Sequence, residues 1–179
     1  NPSFSGWIFV ETVSIPRDGI VAFQIQLTNE TGASASDVQW SFGLNPDQGI
    51  PVGLGSGTLN GINATGSHSS VVASSVDGWE LEIRNTTSIA SAFSVTPYID
   101  LSACCNPVDP AVMVAASQVP GMYGFANNSI NLAYNLGTIN AHETVSFGYT
   151  VGIPIPEPKT YSMLLAGLCL LGFIVRRRQ

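Results

Sequence analysis

The feature that most restricts what this chain can become is a period of two. Along residues 20–29 the apolar side chains Val21, Phe23, Ile25 and Leu27 alternate with Ala22, Gln24, Gln26 and Thr28. Val145, Phe147, Tyr149 and Val151 alternate in the same way, and Val38-Gln39-Trp40-Ser41-Phe42-Gly43-Leu44 repeats the pattern. Successive side chains on a strand point to opposite faces, so each run buries one face and wets the other. Residues 7–15 are rich in β-branched and aromatic types and read as a first strand.

Turn signals separate these runs. Pro16-Arg17-Asp18-Gly19 closes the first, because Pro and Asp-Gly supply the backbone angles a turn needs. Asp77-Gly78 predicts a two-residue type I′ hairpin between residues 68–76 and 79–86. On its second strand Trp79, Leu81 and Ile83 should face in, and Glu80, Glu82 and Arg84 out. Residues 45–66 form a long Gly/Pro/Asn loop with a short strand near 58–62. Further strands are expected at 91–99 and 129–136. Asp109-Pro110 has the form of an N-cap followed by Pro at the first helical position. Residues 111–118 are therefore one or two helical turns, although Val112-Met113-Val114 equally fits a strand. Eight or nine short strands predict an all-β fold, an antiparallel β-sandwich of immunoglobulin-like or jelly-roll type.

Cysteine usage limits how such a domain can be held together. The chain has 3 cysteines. Cys104 and Cys105 are adjacent, and Cys169 lies in a distant apolar run, so a conventional disulfide framework is excluded. The adjacent pair can close a vicinal disulfide, cross-link two molecules or stay reduced; closure is the reading preferred in an oxidising compartment.

Charge is unevenly spread. The formal net charge is −6, yet four of the 6 basic residues lie beyond position 158. Arg17 and Arg84 are the only bases in residues 1–155, against eleven Asp and Glu, a balance of −9. Phosphate contacts require clustered Lys and Arg, so nucleic acid is excluded as a partner. With 45% apolar residues the chain should fold, its polarity coming from hydroxyls and amides.

The C-terminal stretch has a different character. Pro156-Glu157-Pro158 precedes an uncharged apolar run over residues 161–175, which is followed by Arg176-Arg177-Arg178. Inside a bilayer only a helix satisfies the backbone of such a run. At ~1.5 Å per residue it spans roughly 22 Å, short of the ~30 Å hydrocarbon core. The arginines should remain cytoplasmic, placing residues 1–155 across the inner membrane. These three parts, in this order, resemble the PEP-CTERM sorting signal of Gram-negative bacteria. The resemblance implies recognition by exosortase, an integral-membrane cysteine protease, with cleavage near the Pro-Glu-Pro motif and passage to the surface in species that make exopolysaccharide. A second, looser resemblance lies at Leu136-Gly137-Thr138-Ile139 and Glu143-Thr144-Val145-Ser146-Phe147, which looks like the closing hairpin of extracellular immunoglobulin-like modules. The chain begins at Asn1 with no basic or apolar leader, from which prior removal of a signal peptide is inferred.

Motifs for chemistry are sparse. Gly53-Leu54-Gly55-Ser56-Gly57 lacks the Lys-Ser/Thr and helix of a phosphate loop. His68 and His142 lack metal-ligand spacing and a nucleophile elbow. Glu80 and Glu82 lie roughly 7 Å apart along one strand face, permissive for a glycosidase pair. Any amphipathic strand produces that spacing, and Arg84 continues the row, so a solvated face with weak charge pairing is the simpler reading. The loop residues Asp37, Asp47, Asp77 and Asp100 follow no calcium-site spacing. Trp40 and Trp79 should pack in the core, leaving Trp7 as the exposed aromatic available to a glycan.

The expectation is therefore a non-catalytic exported protein of the cell surface or the exopolysaccharide-bearing biofilm matrix, with no cofactor and no metal; the alternatives are a self-assembling subunit of an extracellular filament or coat and a carbohydrate-binding module. Residues 1–152 form an extracellular β-sandwich domain, 153–160 a Pro-rich linker bearing the motif, 161–175 a transmembrane sorting helix and 176–179 a basic cytoplasmic tail. The implied partners are an exosortase-like membrane protease and, transiently, the inner membrane. Extracellular polysaccharide and self-association follow as further partners.

Overall fold

A computed structural model describes residues 5–47, 50, 53, 55–87, 94–102 and 104–153. The apolar run, the arginines and the Pro-Glu-Pro motif lie outside the described residues. Among the described residues no helix is long and apolar enough to cross a membrane.

The described residues form mostly antiparallel strands: β1 (Trp7–Arg17), β2 (Ile20–Asn29), β3 (Ala35–Leu44), β4 (Thr58–Ala64), β5 (Ser70–Ser74), β6 (Glu80–Asn85), β7 (Ser94–Asp100), β8 (Gly121–Ala126), β9 (Ser129–Ile139) and β10 (Thr144–Gly152). Among the described residues one α-helix, α1 (Pro110–Ala116), lies between β7 and β8. The strands divide into a seven-stranded sheet ordered β1-β2-β10-β6-β5-β4-β8 and a three-stranded sheet ordered β3-β9-β7.

The alternating runs decide where the core sits. Ile25 of β2, Val71 and Ala73 of β5, Ile83 of β6, and Phe147 and Tyr149 of β10 meet Val95 and Ile99 of β7 and Leu132, Tyr134 and Leu136 of β9 in one buried cluster. Two sheets thus close on a common core in a β-sandwich arrangement. The larger sheet overhangs the smaller. Trp40 and Phe42 of β3 reach Phe147 and Tyr149 of β10, and Phe42 reaches Phe23 of β2. Among the described residues no ring contact of this kind reaches β1, and every residue of β1 after Trp7 is exposed. The likeness to immunoglobulin modules extends to two antiparallel sheets on one core and not to the near-even division of strands in those folds.

Several expectations are corrected. Residues 136–147 do not form a hairpin: β9 pairs with β3 and β7, whereas β10 pairs with β2 and β6, so the connection crosses from one sheet to the other. β5 and β6 do pair, but their last partners are Ser74 and Glu80, leaving a five-residue link in place of a two-residue turn. A type I′ turn needs positive φ at both central residues; Gly78 has φ 90°, and Asp77 is not among the positive-φ residues. The longer link carries Trp79 outside the ladder, where it is 42% exposed and not in the core. β8 was not anticipated. The open choice at residues 111–118 resolves to helix, with the Asp109 carboxylate accepting from the Ala111 amide at 2.8 Å.

Candidate functional site

Two concavities flank the smaller sheet. The first opens where β1 overhangs β3. Trp7 and Phe9 of β1 and Leu27 of β2 form its floor, and Val38, Gln39 and Trp40 of β3 its wall, enclosing about 460 Å³. The floor follows from register. Phe9 pairs with Leu27 and Glu11 with Ile25, so the odd-numbered residues of β1 share the inward face of Ile25. The wall is rigid. The Trp40 ring packs edge-on to Phe147 at 5.0 Å and to Tyr134 at 5.7 Å. Such arrangements suit the aromatic quadrupole. Trp7, expected to be exposed, is half-buried and packs against the core cluster. Its neighbours Phe9 and Trp40 could not be assigned to the same groove from sequence, because the two sheets bring them together.

The second cavity, about 380 Å³, lies on the other face of the smaller sheet, beside the link between β7 and α1. Cys104 and Cys105 are joined as a vicinal disulfide on its wall, opposite Ser41, Gly43 and Asn131. Asn45 donates to the Asp47 carboxylate at 2.9 Å and approaches the Cys105 sulfur at 3.5 Å. The remaining oxygens, Asn45 Oδ1 and Asp47 Oδ1, are buried without a hydrogen-bond partner among the described residues. The cavity lining mixes the polar side chains of Ser41, Asn45 and Asn131 with the apolar ones of Leu44, Val108 and Met113.

The other sequence candidates stay apart. His68 Nδ1 lies 3.0 Å from the neighbouring Ser67 hydroxyl, and His142 Nδ1 lies 2.9 Å from Glu30. Glu82 is engaged by Arg84 at 2.8 Å, and Glu80 accepts from Ser74 at 3.2 Å. Among the described residues no three His, Cys, Asp or Glu side chains are grouped to hold a metal ion. The groups with raised pKa are tyrosines. Burial pushes the Tyr134 phenol up, with neighbouring Tyr149 adding to it. Burial and then the Glu11 carboxylate do the same to Tyr149. Tyr134 is held as a neutral donor to Asn85 Oδ1 at 3.1 Å and the Gly148 carbonyl at 3.0 Å, a structural role.

The described domain ends at Ile153, whose amide donates to the Gly19 carbonyl at 2.7 Å, pinning the point where the chain leaves the sheet. An antiparallel β domain followed by proline, an apolar run and arginine defines the class of protein: a folded body carrying a sorting tail. Residues 154–178 match the PEP-CTERM protein-sorting motif. This motif marks the chain for export, for processing by the membrane protein exosortase and for sorting towards the cell surface. It includes Pro156, Glu157, Pro158, Arg176, Arg177 and Arg178. No curated protein matches the chain.

Proposed function

We propose that this is a non-catalytic protein of a Gram-negative cell surface or extracellular matrix. Its tail holds it briefly in the inner membrane, an exosortase-like protease cuts near Pro156-Glu157-Pro158, and the β domain passes into the extracellular, exopolysaccharide-bearing layer. The observation that carries this reading is the sorting motif at residues 154–178. Proline cannot donate a backbone hydrogen bond and holds φ near −65°, so Pro-Glu-Pro offers an extended, helix-free substrate. The apolar run fixes that substrate at the membrane surface, and the arginines fix its orientation. Replacement of Pro156-Glu157-Pro158 by three alanines is expected to leave uncut protein in the inner membrane. Mass spectrometry of the C-terminus, with fractionation, reads the result. Surface delivery of the variant at normal size would refute the mechanism.

A second reading assigns glycan binding to the groove under β1. Sugar rings stack on aromatic faces, and Trp7, Phe9 and Trp40 with the Gln39 amide provide rings and a hydrogen-bonding group without a charge. Such a site suits a neutral polysaccharide. Trp7→Ala should abolish retention on that polymer in pull-down; equal retention of both proteins would sink this reading.

A further inference from the structure

Sorting leaves strand β1 unexplained. Among the described residues, exposed large apolar side chains gather at the open edges of the seven-stranded sheet: Ile8, Phe9, Val10, Val13 and Ile15 on β1, and Met122 and Phe125 on β8. Val10 is 46% exposed, Phe9 51% and Val13 54%. Among the described residues β1 pairs only with β2, so no described strand lies along its other backbone edge. Natural edges are commonly guarded by Lys, Pro, a bulge or short length. β1 has 11 residues and no Lys. Its proline, Pro16, falls within its one break in register, between Ser14 and Arg17, so residues 7–14 form a regular, unguarded edge.

We propose that this edge is a homotypic docking surface, on which β1 of a second copy adds antiparallel and joins two seven-stranded sheets into one. The free groups are those of a strand backbone, which an open strand of matching length satisfies. The side chains are self-complementary in one register. Centred on Val10, the pairing sets Val10 against Val10 of the second copy, Phe9 against Glu11, Ile8 against Thr12 and Trp7 against Val13. Apolar groups meet at the axis, and no two charges face each other. Centring on Glu11 would oppose two carboxylates, which is destabilising. Charge also favours a second copy over a basic partner, because Glu11 is the only charged residue in this stretch. Since residues 1–155 carry a balance of −9, two copies repel at long range, and their association must strengthen as salt screens that field. A basic partner would show the opposite dependence. An edge contact alone falls below the ~1,200 Å² of stable interfaces, so the association is concentration-dependent.

The test uses the full chain in a mild non-ionic detergent, followed by sedimentation velocity; it does not depend on where the protein is sorted. The unmodified chain is expected to dimerise with rising concentration, more strongly at about 0.5 M than at about 0.05 M salt. Val10→Glu and Val10→Lys, each placing like charges on the axis, should lower the association constant by about tenfold or more. An equimolar mixture of the two should regain it. A chain that stays monomeric, variants that associate like the parent, or a mixture no stronger than its parts would each overturn the proposal. Hydrogen exchange on the unmodified chain gives an independent reading. Protection at residues 7–14 should rise with concentration, and protection that does not change would overturn the proposal equally.

Discussion

Asn29 and Asn85 begin two of the Asn-x-Thr triplets that a secreted chain offers as glycan acceptors, yet both are buried. Asn29 Nδ2 donates to the carbonyls of Ala33 at 2.7 Å and Ile139 at 3.0 Å, while its Oδ1 accepts from the Thr31 amide and hydroxyl. Asn85 Nδ2 donates to the carbonyls of Ser67 and Thr87, and its Oδ1 accepts from the Thr87 amide and the Tyr134 hydroxyl. In both, the residue two positions on closes an Asx turn, so the triplet is a clamp at a strand end. Asn29→Ala strands several buried partners and should cost about 3 kcal/mol; an unchanged urea midpoint would contradict the clamp. Tyr134 makes a second residue-scale prediction. Its folded pKa lies above the ordinary 10.0 because burial disfavours the phenolate. The stability it contributes is complete below pH 10.0 and is lost as pH rises towards the folded pKa. Tyr134→Phe should therefore lose about 1–2 kcal/mol at neutral pH and decline less steeply in alkali, as read by fluorescence-monitored unfolding from neutral pH upwards.

At the scale of elements, legibility followed side-chain periodicity. β2, β3 and β10 alternate because one face meets the core, and that alternation is written in the chain. β8 was hidden by Gly121 and Gly124, which look like punctuation. It forms because Leu59 pairs with Phe125 and Gly61 with Met122 along the edge of β4. The Asp77-Gly78 signal marked the right place and the wrong turn: the Ser75 hydroxyl bonds the Asp77 carboxylate and the Ser75 amide bonds the Trp79 carbonyl, stabilising a wider loop. The cap of α1 was readable, and Asp109→Ala should cost about 1 kcal/mol, measurable as a lowered midpoint in thermal unfolding. Full stability in that variant would show that Met113, buried against the smaller sheet, holds the helix without the cap.

For the whole molecule, the tail is the one site that could be read from contiguous residues, because a linear signal carries its own meaning. The groove under β1 and the cavity beside Cys104 and Cys105 could not, since each is assembled from residues distant in sequence. Sheet order also has a consequence for timing. β10 is the last described strand in the chain, yet it sits inside the larger sheet, between β2 and β6. Until it arrives, the β1–β2 pair has no strand joining it to the other four, and the core lacks Phe147 and Tyr149. Non-local pairings of this kind form late. A chain stopped after residue 140 should accordingly be cleaved by protease within seconds to minutes, whereas one stopped after residue 153 should resist; equal resistance would disprove the ordering. β10 ends at Gly152, just before the motif at residues 154–178. A chain exported from its N-terminus would thus stay threadable until the strand that completes the fold emerges, immediately ahead of the sorting motif.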